Sequence, residues 1–341
     1  MTSDAPEQRL GVSACHSSPI TCHCLSGSSL VTDLDMRITE RENPASVALD
    51  TKPTREILRL INREDQRVAP AVAKTLPKIA RAVDMAVRAL SRGGRMIYLG
   101  AGSSGRLGVL DAAECPPTFG SNRVLALIAG GHGAMFKSKE GTEDNPRQAE
   151  RDLRCVKLSA KDVLVGIAAS GSTPYVLGGM RYARRVGAKT VGLTANPTGP
   201  MKPLADVFIA PVVGPEIVAG SSRMKAGTAQ KLVLNMISTA TMARLGRVYS
   251  HWMINVQLTN RKLRERGQRI LCAITGASPT SAARTLTAAG GSLPVALLML
   301  RHGIERDEAL QLLTREKNIA AALRTPLREP ARRKGTTPKR N

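Results

Sequence analysis

Whatever chemistry this sequence performs falls to three short loops and two carboxylates. The first loop runs Gly100-Ala101-Gly102-Ser103-Ser104-Gly105-Arg106 and the second Ala169-Ser170-Gly171-Ser172-Thr173-Pro174-Tyr175. The third is Gly220-Ser221-Ser222-Arg223-Met224-Lys225-Ala226-Gly227. Glycine lets backbone approach a ligand closely, hydroxyls donate hydrogen bonds, and a helix N-terminus presents unpaired N–H groups to an anion. One such loop is an ordinary turn with a Ser N-cap. Three at one sheet edge are a binding site. Hydroxyls gathered without acidic metal ligands suit a phosphate and sugar hydroxyls, with no metal and no cofactor. The binding candidates are Ser103, Ser104, Ser170, Thr173, Ser221, Ser222 and Lys225.

The carboxylates are Glu114, in Asp111-Ala-Ala-Glu114-Cys-Pro-Pro, and Glu143, in Glu140-Gly-Thr-Glu143-Asp144. A carboxyl group held among apolar neighbours has a raised pKa and works as a general acid or base. On spacing alone, a helix cap or surface charge is the stronger reading of each.

Two nucleotide readings fail. Gly100-x-Gly102-x-x-Gly105 matches the dinucleotide fingerprint, but the next strand ends in Ile128-Ala129-Gly130-Gly131 without the acidic residue that the ribose requires. The Gly-Lys-Ser/Thr of a phosphate-binding P-loop is absent.

The elements that must position these groups alternate. Apolar runs at Met96 to Leu99, Val124 to Ile128, Val163 to Ala168, Thr190 to Leu193 and Val207 to Val213 read as strands. Helices are predicted between them near 106–114, 144–153, 174–186 and 222–245, the first stopped by Pro116-Pro117. This alternation predicts an α/β fold, a doubly wound parallel sheet with ligands at the carboxyl ends of its strands. Upstream, helices are predicted over 54–68 and 71–91, the second kinked by Pro77. Downstream, a long helix over 252–273 and three short ones near 279–289, 293–302 and 306–323 make a small C-terminal helical bundle. The expected divisions are a disordered extension over 1–35, a helical segment over 36–91, and a sugar-phosphate-binding domain over 92–249. The long helix and bundle fill 250–324, and a basic disordered tail fills 325–341.

Composition narrows the partners. Of 341 residues, 42% are apolar and only 2% aromatic, so Ala, Val, Leu and Ile must build the core. No apolar run approaches the ~18 residues that span a bilayer, and the first thirty residues lack a signal peptide's basic and apolar regions, so a cytoplasmic protein without a membrane partner is expected. The net charge of +23 invites a nucleic-acid reading, but seven basic residues crowd into 324–341, and no helix-turn-helix or RNA-binding signature appears. A small anionic substrate is the simpler partner. Cys15, Cys22 and Cys24, with His16 and His23, lack the separated ligand pairs of a zinc site.

At these motifs the sequence resembles the N-acetylmuramic acid 6-phosphate etherases, a branch of the sugar-isomerase (SIS) fold. The likeness runs from about Ile38 to Leu323. It is carried by Glu42-Asn-Pro-Ala-Ser46, the stretch from Tyr98 to Gly108, Ala113-Glu-Cys-Pro-Pro-Thr118, Gly166 to Ser170, and Val213 through Asn235. The resemblance implies a metal-independent cytoplasmic lyase, a homodimer, that splits the C3 lactyl ether to give N-acetylglucosamine 6-phosphate and D-lactate in cell-wall recycling. The family's two functional glutamates fall on Glu114 and Glu143. The chain departs from the family at Ser172, where Arg is usual, and at Lys137 and Lys139, where small or apolar residues are usual. A non-catalytic sugar-phosphate-binding regulatory protein of the same fold is the alternative, although binding alone needs neither glutamate.

Overall fold

The computed structural model describes residues 37–323 apart from Thr259 and Lys317. The expected extension over 1–35, with its Cys and His cluster, and the tail over 325–341 lie outside the described residues.

Five strands form one parallel sheet: β1 Met96–Gly100, β2 Val124–Ile128, β3 Val163–Ile167, β4 Lys189–Leu193 and β5 Val207–Ile209, in the order β2-β1-β3-β4-β5. Every residue of β1 and of β3 is buried, which is why these strands read as continuous apolar runs rather than alternating ones. Their side chains divide between two cores. Met96, Tyr98, Val163 and Val165 meet helices α3 Leu76–Ser91, α4 Gly102–Phe119 and α7 Lys225–Arg244 on one face. Ile97, Leu99 and Leu164 meet helices α5 Pro146–Cys155 and α6 Pro174–Val186 on the other. The sheet is doubly wound, as the alternation predicts.

Before the sheet come α1 Thr54–Asp65 and α2 Val68–Ala73; after α7 come α8 Arg261–Thr275, α9 Pro279–Ala288, α10 Leu293–His302, α11 Arg306–Glu316 and α12 Ile319–Ala322. The last five pack around their own core, which includes Ile270, Leu271, Leu286, Leu297 and Leu298. Among the described residues no single helix is long and apolar enough to cross a membrane.

Local structure differs from the sequence expectation at several points. Pro77 does not kink a helix. The chain breaks between α2 and α3, and Pro77 sits in the first turn of α3, where a missing N–H leaves no carbonyl unpaired. Pro116 and Pro117 do not stop α4, which runs on to Phe119 and ends at Gly120, φ +60°. The two prolines remove donors only in the final turn, and the buried Cys115 and Phe119 hold that turn against the core. β5 is three residues long rather than seven. The helix expected from 252 begins at Arg261, where Asn260 caps it by accepting from the Leu263 N–H. The last expected helix divides in two, and Asn318 caps the second piece.

Gly100 and Gly105 explain the fingerprint without a nucleotide. A Cβ on Gly105 would stand 2.6 Å from Ile128 Cγ1 and 2.9 Å from the Gly100 carbonyl carbon. α4 therefore presses directly on β1 and β2, and these glycines serve packing.

Candidate active site

Strand order fixes where a ligand fits. β1 has β2 on one side and β3 on the other, so the loops that leave β1 and β3 diverge and open a crevice at their carboxyl ends. A cleft of about 490 Å³ lies there. Ser103 and Ser104 line it from the first loop, Ser170, Ser172 and Thr173 from the second, and Ser222 from the third.

Each loop is set by its own bonds. Ser104 is buried and donates to Gln230 Oε1 at 2.9 Å, which leaves Ser103 the more accessible hydroxyl of its loop. The Ser172 N–H and hydroxyl both donate to Ser170 Oγ, at 3.2 and 3.1 Å. Gly171 takes φ +70°, and a Cβ there would stand 2.9 Å from Thr194 Oγ1, so the second loop needs glycine twice over.

The third loop is built differently from the other two. The N–H groups of Lys225 and Ala226, at the start of α7, donate to the two carboxylate oxygens of Glu216, each at 2.9 Å. That helix terminus already holds an internal anion, and burial pushes the Glu216 carboxyl above its usual range despite these bonds. Ser221 does not line the cleft. Lys225 does not either: its ammonium lies 2.6 Å from Glu64 Oε2, with both side chains 1% exposed. Burial pushes the Glu64 carboxyl up, but Lys225, Asn43 and Arg67 outweigh it and hold the group below its usual range. Lys225→Met is expected to cost about 3 kcal/mol of stability by removing the buried partner of Glu64, which keeps only the exposed Arg67 as an ion pair, read as a lowered denaturant midpoint. An unchanged midpoint would mean that water reaches Glu64.

The two glutamates lie apart in one chain. Glu143 sits in a single 3-10 turn, Thr142–Asp144, and lines the cleft with its neighbour Asp144. It also borders an adjoining hollow of about 140 Å³ with Lys139 and Glu140. Lys139 Nζ donates to the Gly130 carbonyl at 2.9 Å and so ties this segment to the end of β2. Glu114 is exposed and does not line the cleft. It is twelve residues along α4 from Gly102, roughly 18 Å of helical rise. One turn before it, the buried Asp111 accepts from Tyr98 Oη at 2.8 Å, Asn235 Nδ2 at 2.7 Å and Ser238 Oγ at 3.0 Å. Asn235 in turn borders an apolar groove of about 810 Å³ between α3 and α7, lined by Leu76, Ile79, Val83, Leu232 and Met236.

Sequence reasoning missed the fourth wall. Arg37, Thr39 and Glu40, from the segment preceding α1, line the same cleft. Asn196 holds them there. It accepts from the Ile38 N–H at 2.9 Å and donates to the Ser170 carbonyl at 2.9 Å and to Thr39 Oγ1 at 3.4 Å. The motif from Glu42 to Ser46 marks this segment, yet no spacing rule links it to a loop more than a hundred residues away. Among the described residues no group of three or more His, Cys, Asp or Glu is placed to hold a metal ion.

Comparison with known proteins follows the same lines. Residues 78–184 match the model of the glucokinase regulatory protein N-terminal SIS domain, and residues 146–240 match that of the SIS domain. The N-acetylmuramic acid 6-phosphate etherase of Edwardsiella ictaluri is 53% identical over 289 residues, 84% of this chain and 96% of that protein. N-acetylmuramic acid 6-phosphate etherase 1 of Vibrio cholerae is 53% identical over 294 residues, 85% of this chain and 98% of that protein. A solved phosphoheptose isomerase from Francisella tularensis, 19% identical, aligns over 55% of this chain and 98% of its own with a TM-score of 0.44.

Proposed function

The chain belongs to the N-acetylmuramic acid 6-phosphate etherase family, and on that premise we propose that it cleaves the D-lactyl ether of N-acetylmuramic acid 6-phosphate. The products are N-acetylglucosamine 6-phosphate and D-lactate, and the enzyme is a cytoplasmic carbon–oxygen lyase of cell-wall sugar recycling. The observation that carries this reading is the cleft itself, where hydroxyls from all three loops meet Glu143.

The chemistry follows from the open-chain sugar. Its C1 aldehyde acidifies the C2 proton; a base removes that proton, an acid protonates the departing lactyl oxygen, and water then adds at C3 of the unsaturated aldehyde. The 6-phosphate sits on Ser103, Ser170 and Thr173 and on the N-termini of α4 and α6. Glu114 acts as the acid at the ether oxygen and afterwards activates water. Glu143 is the second acid/base, at C2 or in ring opening.

Because Glu114 stands off the cleft of its own chain, these roles require a second copy, and the active species is a homodimer. The apolar groove between α3 and α7, whose Asn235 bonds Asp111 one turn before Glu114, supports a self-association face, as does the exposure of Leu76 at 47% and of Leu110 on α4 at 52%. The same placement of Glu114 favours one other reading, a sugar-phosphate sensor that binds without turnover. Incubation with N-acetylmuramic acid 6-phosphate and an enzymatic assay for D-lactate separates the two. Release is expected; binding of the sugar phosphate without release would favour the sensor.

A further inference from the structure

We propose that Arg37 is a substrate-binding residue that neutralises an oxyanion of the bound sugar, its 6-phosphate or its lactyl carboxylate. The proposal rests on the phosphosugar reading above and adds a residue to it.

Charge is the first argument. Among the described residues lining the cleft, Arg37 is the one cation, against the carboxylates of Glu40, Glu143 and Asp144. A sugar carrying a phosphate and a carboxylate meets like charge from two segments of the wall, the Glu143–Asp144 turn and Glu40, unless a cation stands among them. Arg223, beside Ser222, is exposed and does not line the cleft, and three other nearby cations are engaged elsewhere. Lys225 is paired with Glu64, Lys139 Nζ donates to the Gly130 carbonyl, and Arg106 Nε donates to the carbonyls of Ala134 and Met135.

Placement is the second. Arg37 is half-buried, and the next two residues are fastened to the second loop through Asn196, which bonds Ile38, Thr39 and the Ser170 carbonyl together. Arg37 thereby lines the same cleft as Ser170 and Ser172, on a segment tied to their loop. Among the described residues no carboxylate forms an ion pair with it, whereas Arg67, Arg95, Arg154 and Arg185 each have one. A planar fork of five donors suits phosphate and carboxylate alike. The second loop lines the cleft with the hydroxyls of Ser170, Ser172 and Thr173 and with no cation. Arg37 supplies from the N-terminal segment what that loop lacks.

Arg37→Met is expected to raise KM for N-acetylmuramic acid 6-phosphate about ten- to hundredfold and to change kcat little, since the contact is made in ground and transition states alike. Arg37→Lys keeps the charge and is expected to stay within about tenfold of wild type. Calorimetric titration with N-acetylglucosamine 6-phosphate, which lacks the carboxylate, identifies the anion. Weaker binding to Arg37→Met places the guanidinium on the phosphate, and unchanged binding beside a raised KM places it on the carboxylate. Adding Ser172→Arg to Arg37→Met is expected to bring KM back towards wild type. A KM for Arg37→Met within about twofold of wild type overturns the proposal, and a double variant as weak as Arg37→Met overturns the placement beside the second loop. If wild type releases no D-lactate, the functional reading falls instead, and direct titration of both proteins with N-acetylmuramic acid 6-phosphate then decides the role of Arg37.

Discussion

Glu143→Gln is expected to lower kcat by roughly 10²–10⁴-fold, the usual contribution of a positioned proton transfer. Gln keeps the volume and hydrogen-bonding capacity of Glu and removes only the titrating proton. The residue is exposed on a short turn, so the substitution leaves the fold intact, and affinity for N-acetylglucosamine 6-phosphate is expected to survive. Glu114→Gln is expected to show a loss of the same size, although Glu114 lies outside the cleft of its own chain. Mixing the two inactive variants, with subunit exchange, distinguishes the possible arrangements. If Glu114 serves the neighbouring copy's cleft, half of the mixed dimers' sites are intact, and about a quarter of wild-type activity returns. If each chain uses its own pair, nothing returns. Normal turnover by either variant would remove that glutamate from the reaction.

Removal of the phosphate is expected to have an effect as large. On the proposed placement of the phosphate, unphosphorylated N-acetylmuramic acid would give up charge-assisted bonds to Ser103, Ser170 and Thr173 and contact with two helix N-termini. At about 1.5–3 kcal/mol for each hydrogen bond to a charged group, three lost bonds lower kcat/KM by about 10³-fold or more. Comparable kcat/KM for the two sugars would take the phosphate away from these loops. A chelator is expected to leave turnover unchanged, because the proposed steps need only carboxylates, hydroxyls and water.

The parts of this protein that its sequence discloses are those where local chemistry and global fold agree. β1 and β3 are covered on both faces and so appear as unbroken apolar runs ending in Gly-Ser turns, and those turns fall at the point where strand order reverses. Pro77 and Pro116-Pro117 misled because the effect of proline depends on which turn it occupies, and apolar periodicity does not locate the first and last turns closely. Lys225 looked like a ligand because it follows a Gly-Ser loop. Its partner Glu64 lies 161 residues away on α1, and no local pattern joins them. Glu114 had the opposite fault: its motif is plain, but the helix that carries it leads away from the cleft. Arg37 lies outside every motif, and the bonds of Asn196, which no local pattern announces, tie its segment to the second loop.

If Glu143 and Glu114 direct an elimination across C2 and C3, the course of oxygen records it. Wild-type protein incubated with N-acetylmuramic acid 6-phosphate in H₂¹⁸O, with both products read by mass spectrometry, is expected to release D-lactate without label. The product N-acetylglucosamine 6-phosphate is expected to carry one ¹⁸O at its C3 hydroxyl, because the bond from C3 to the ether oxygen breaks and water replaces it. Label in the lactate, with the sugar's C3 oxygen unlabelled, would mean attack from the lactyl side and would contradict the elimination. Absence of D-lactate altogether would contradict the assignment of this cleft as an active site.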